Sequence, residues 1–126
     1  MRREIERRTQ KLAEDLLTVC DIVRRRANGS TPANQLLDAS SSSAANYRAA
    51  GRARSKREFT AKLGVANEEA DETVFWLEFI GNSGLDHDLD LAALQQEAKE
   101  LRAIIAASYA TARRNSGHNK DDKRSR

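Results

Sequence analysis

Proline is almost absent from this sequence. Pro32 is the only one among 126 residues, so little besides glycines and polar turns can interrupt a helix. Cysteine is equally scarce: Cys20 stands alone, which excludes an intrachain disulfide. Its apolar neighbours Val19 and Val23 mark it as a buried thiol and not a nucleophile. Histidine occurs only at His87 and His118, and no Glu-x-x-His pair of a bundle di-metal site is present. No apolar run is long enough to span a membrane, and the opening MRREIERRTQ lacks the apolar stretch of a signal peptide. These absences set the expectation of a cytoplasmic protein with no membrane partner, no cofactor, no metal and no catalytic centre.

What is present favours helices. Ala, Leu, Glu, Lys and Arg dominate, charged residues reach 33% and the hydrophobic set 39%. The length suits one domain. The apolar fraction is modest for a monomer, and small helical domains with little core often complete their burial by self-association. Net charge is +3. Its distribution says more than its sum. Arg48, Arg52, Arg54, Lys56, Arg57 and Lys62 face only Glu58, whereas the acids from Glu68 to Asp90 are interrupted by no Lys or Arg.

Four amphipathic segments follow one another. The first spans about Glu4 to Ala27, with Leu12, Leu16, Val19 and Val23 on one helical face and Asn28-Gly29 as its stop. Thr31 as N-cap and Pro32 at the first helical position open the second, which runs to about Ala50 through the serines Ser40 to Ser43. Those serines read better as a small-residue helix face than as a linker. Gly51 marks a break. Ser55 and Glu58 then have the spacing of a capping box. The third helix carries Phe59, Leu63, Ala66, Ala70, Thr73, Leu77 and Ile80, with Val65, Trp76 and Phe79 beside that stripe, and ends near Gly81. The apolar face is wider than one seam needs, which makes Trp76 and Phe79 the candidate oligomer interface. The fourth helix begins near Asp88 or Asp90 and carries Leu91, Leu94, Ala98, Leu101, Ile105, Ser108 and Ala112 to about Arg114. Residues 1–115 are thus expected to form the bundle, and 116–126 a disordered polar tail. The architecture expected is all-α: an antiparallel up-and-down four-helix bundle.

Three clusters carry possible chemistry. Asp86, His87, Asp88, Asp90 and Glu97 echo a calcium loop, but Leu91 occupies the position of the sharp-turn glycine, so a solvated helix start is the better reading. Glu68, Glu69, Asp71 and Glu72 read as a solvated face, with no metal-ligating partners beside them. Arg48, Arg52, Arg54, Lys56 and Arg57 cluster at the turn between the second and third helices. They are candidates for binding RNA or DNA through phosphates, without base-stacking aromatics that would read sequence.

The order of certain motifs resembles a known family. Gln35-Leu36, Ser42 and Asn46 are followed by Arg54-Ser55-Lys56-Arg57-Glu58-Phe59. Then come Glu68-Glu69-Ala70-Asp71-Glu72-Thr73 and Trp76-Leu77-Glu78. The last group is Glu97, Ala98, Glu100, Leu101, Ala103, Ile104, Ser108, Thr111, Ala112 and Arg113. Together, from about Leu12 to Asn115, these resemble the four helix bundle proteins first noticed as intervening sequences in bacterial 23S ribosomal RNA genes. The resemblance implies an up-and-down four-helix protomer in a ring-like homo-oligomer, commonly a pentamer, of unsettled role. It also implies a fold similar to the accessory protein of diversity-generating retroelements, a basic pentamer that engages nucleic acid and a reverse transcriptase. The family pattern singles out Asn46 and Glu72, which are expected to pair across the bundle. Ser41 and Ser43 stand where the family has aliphatics, and Ala49 where it has an acid. Two functions follow: an oligomeric nucleic-acid-binding or adaptor protein, or a structural scaffold whose partner is another protein.

Overall fold

Long helices follow directly from a chain with so few breakers. In the computed structural model, which describes residues 2–124 and side chains through 116, the chain forms α1 (Arg2–Arg24), α2 (Ser30–Gly51), α3 (Lys56–Asn82) and α4 (Ala92–Arg124). No strand occurs among the described residues. Each helix packs on its neighbours in sequence, and α1 closes the ring against α4. The backbones of the diagonal pairs stand farther apart than those of neighbouring helices among the described residues, as in a square section. This is the expected antiparallel four-helix bundle.

The periodic apolar residues meet at its centre. Leu12, Leu16, Val19 and Val23 of α1 are buried with Leu36 of α2, Leu63, Ala66, Leu77 and Ile80 of α3, and Ala98, Leu101 and Ile105 of α4. Cys20 is fully enclosed, and burial pushes its thiol up to about 11. The serine run of α2 is helical, as expected. Its buried members join a hydroxyl layer halfway along the core, formed by Thr9, Ser40, Ser43 and Thr73. Ser43 Oγ donates to the Ala66 carbonyl of α3 at 3.1 Å, and Thr73 Oγ1 donates to Glu69 O at 2.8 Å. Thr9 and Ser40 donate within their own helices. The layer therefore places polar groups in the core without stranding any of them.

The turns show where expectations need adjusting. α1 ends at Arg24, short of Ala27, and Asn28 takes the left-handed conformation at φ 65. α2 begins at Ser30, with Gly29 and not Thr31 as its N-cap. The reason is close packing: a Cβ on Gly29 would lie 1.8 Å from the Val23 carbonyl oxygen. Gly29 lets the turn fold onto α1, and Pro32 is displaced into the first turn, where its missing N–H costs nothing. α2 stops at Gly51, and Ser55 caps α3 as expected, its Oγ accepting from Glu58 N at 3.0 Å. Glu58 does not complete the box; its carboxylate turns toward Arg54 at 3.7 Å. α4 begins at Ala92, whose N–H is received by Asp90 Oδ1 at 3.1 Å. The backbone of α4 runs well past Arg114 to Arg124. Residues 125 and 126 of the expected tail lie outside the described residues.

Candidate functional site

The antiparallel order brings the start of α1, the end of α2, the start of α3 and the C-terminal half of α4 to one end of the molecule. The basic turn lies there. Arg48 and Arg52 reach Glu6 of α1 at 3.9 and 3.2 Å, and Arg54 reaches Glu58. These pairs are exposed, with 59%, 58% and 90% of the three arginine side chains open to solvent, so they hold their cations weakly. Lys56 and Arg57 are exposed and lie within ion-pair distance of no acid among the described residues.

Folding adds cations that the linear pattern did not join to the turn. The Arg2 side chain lies beside Gly51, so α1 contributes Arg2 and Arg3 to this end. Thr60 and Ser116 hydroxyls meet at 3.3 Å, which sets the C-terminal half of α4 against the start of α3. Exposed Arg113 and Arg114 therefore lie on the stretch of α4 that runs beside the first turns of α3, with Arg113 stacked over the Tyr109 ring at 5.7 Å. Tyr109 itself fits because Gly64 has no side chain: a Cβ there would come within 3.0 Å of the ring. The basic end thus draws on all four helices.

The acidic run of α3 lies away from it. Glu68, Glu69 and Glu72 follow one another on α3, and burial together with Glu72, Glu68 and Asp38 raises the Glu69 carboxyl above its ordinary value. The expected pairing of Asn46 with Glu72 is not made. Asn46 Nδ2 donates to Ser42 O and Oγ of its own helix at 2.9 and 3.2 Å, and Glu72 is exposed. The register of α2 against α3 turns Glu72 outward, so Asn46 finds its partners one turn back. No group of three His, Cys, Asp or Glu residues among the described ones is arranged to hold a metal. His87 Nδ1 meets only Asp88, at 3.4 Å, in an exposed loop.

The aromatic residues of α3 form a third feature. Trp76 is half-buried against the core, while Phe79 is 44% exposed. Phe75, not anticipated from the sequence, is the more open at 52%. The Phe75 and Phe79 rings meet Trp76 edge-on, at 4.8 and 5.3 Å between centroids. Sequence periodicity placed Phe79 next to the stripe, but Phe75 falls one residue before Trp76 and carries no signal of its own. No described helix is long and apolar enough to cross a membrane.

Comparison with known proteins agrees with this geometry at the level of fold. No family model matches the chain, and no curated protein does. A solved structure matches with a TM-score of 0.75 at 20% identity, covering 87% of this chain and 99% of the other. That protein is described as one of unknown function from the S23 ribosomal protein family of Bacteroides thetaiotaomicron. The chain therefore shares the all-α four-helix fold of a member of the family its motifs resemble. At this identity the likeness concerns fold.

Proposed function

We propose that this protein is a non-catalytic, cytoplasmic homo-oligomer, assembled as the resembled family implies into a pentameric ring, whose basic end binds RNA or DNA through the phosphate backbone. The observation that carries the reading is the convergence of Arg2, Arg48, Lys56, Arg57 and Arg113 from four helices, with Arg52 and Arg54 of the turn, on one end. In a ring these ends would form one positive rim. Binding there would release counterions and depend on salt far more than on sequence.

A second reading, a scaffold that binds another protein, is favoured by the exposed Phe75 and Phe79. One experiment separates the two. Labelled RNA and DNA are titrated at low and at physiological salt against the native protein and against a triple variant with Arg52, Arg54 and Arg57 replaced by Gln. Half-buried Arg24 and exposed Arg25, at the opposite end, replaced by Gln serve as the control. The rim reading expects tight, salt-sensitive binding that the triple variant loses and the control keeps. No binding at low salt, or equal loss in both, leaves the protein scaffold as the function. Light scattering tests the assembly: a mass near the 14.0 kDa of one chain would refute it.

A further inference from the structure

Inside the basic end the core does not close. A cavity of about 210 Å³ opens there, walled by Ile5 of α1, Phe59 and Leu63 of α3, and Ile104 of α4. An apolar chamber of this kind is poor at holding water, and one of about 150 Å³ is large enough to take a six-carbon ring. At the same ratio this chamber accommodates roughly eight carbons.

Three polar side chains line the chamber, Ser108 of α4 among them, and Tyr47 and Arg2 give it a chemical direction. Tyr47 lines it and is only 7% exposed, yet its hydroxyl forms no hydrogen bond with a described residue. Every fully enclosed side-chain polar atom among the described residues has a partner, so the Tyr47 hydroxyl faces open space and not packed protein. A phenol is protonated and a donor at neutral pH in any case, and burial pushes this one further above its ordinary value. Arg2 lines the mouth, exposed and within ion-pair distance of no acid among the described residues. Glu6, one turn on from Arg2 in α1, is turned to Arg48 and Arg52. A donor inside, a free guanidinium at the rim and the positive end of the α1 dipole select an anion over a cation.

We propose that this chamber binds a small monocarboxylate with an apolar body of about eight carbons, its chain against Ile5, Leu63 and Ile104 and its carboxylate received by Tyr47 and Arg2. The body would replace a void in the core with van der Waals contact. The head would supply the acceptor that Tyr47 lacks. The site does not involve Arg52, Arg54 or Arg57, so it stands or falls independently of nucleic-acid binding.

Octanoate is the probe, titrated into the native protein by calorimetry and followed in methyl NMR spectra. The methyl signals of Ile5, Leu63 and Ile104 should shift and saturate together. Tyr47→Phe and Arg2→Gln should each weaken binding by roughly tenfold, the effect of one lost charge-assisted hydrogen bond. 1-Octanol, with the same chain and no charge, should bind less tightly than octanoate. Ala50→Leu, which places a side chain into the chamber, should abolish binding while circular dichroism remains helical. The proposal is overturned if octanoate leaves those methyls unmoved, if octanol binds as well as octanoate, or if both mouth variants bind as the native protein does. The last two results do not require Ala50→Leu to fold.

Discussion

Arg8 and Glu97 join the first helix to the last. The guanidinium donates from Nε to Glu97 Oε2 at 2.9 Å and from Nη2 to Oε1 at 2.6 Å, a bidentate fork. Nη2 also lies 3.0 Å from Glu100, one turn from Glu97. The hydrogen bond from Arg8 holds the Glu97 carboxyl below its ordinary value. Because the folded pKa is depressed, the pair stabilises the bundle above the unfolded carboxylate range, and that contribution is lost as pH falls through the folded pKa. Arg8→Ala and Glu97→Gln should each destabilise by about 1–2 kcal/mol at neutral pH, since the pair is partly buried but not enclosed. In acid their difference from the native protein should shrink. Urea midpoints measured at both pH values check this, and a pH-independent difference would contradict it.

Ser43 should tolerate removal of its hydroxyl poorly. Its Oγ satisfies the Ala66 carbonyl from the neighbouring helix within the buried layer. Ser43→Ala is expected to lower stability by about 1 kcal/mol. Ser43→Val, which restores the aliphatic type of the resembled family, adds methyl groups beside a carbonyl and is expected to be no better than the alanine. Paired denaturation curves decide the order.

Gly29→Ala should be worse than a turn substitution usually is. The added methyl would meet the Val23 carbonyl oxygen, which belongs to the backbone and cannot swing away. A loss above about 1 kcal/mol is expected, against near neutrality for Gly84→Asn, at a position of positive φ with open space around it. Thermal melts of the two variants provide the contrast.

Cys20 should report unfolding and not surface chemistry. It has no exposed area, and its thiol is pushed to about 11, so little thiolate is present at pH 8. Alkylation of the folded protein should be slow and should accelerate sharply through the urea transition. Rapid labelling in native buffer would show that the core around Leu16 and Val23 opens readily.

The core residues were legible because their cause is local. A side chain at every third or fourth position shares a helix face whatever the partner, so Leu12, Leu16, Leu63, Leu77 and Leu101 could be placed before any contact was known. Ser55 was legible for the same reason, since a cap involves residues only three apart. What depended on the register between helices was not. Asn46 and Glu72 occupy plausible faces, yet the offset of α2 against α3 turns Glu72 outward. Arg2 and Arg113 are distant in sequence from the basic turn and reach its end only through antiparallel packing. Thr31 has the right chemistry for a cap, but the close approach of Gly29 to Val23 moved the helix start by two residues.

The square arrangement also has a kinetic consequence. Three of the four interfaces join helices adjacent in the chain, so most of the core forms by closing short loops. Such a topology folds quickly, with the α2–α3 hairpin, which shares the most extensive interface, as the natural nucleus. Only the α1–α4 seam joins distant segments, with Arg8 and Glu97 separated by 89 positions. In stopped-flow experiments, truncation at Ala66 or Ser43 should slow folding, whereas loss of the Arg8–Glu97 fork should mainly speed unfolding. The clamp between the chain's two outer helices then governs how long the native state lasts and not how fast it forms.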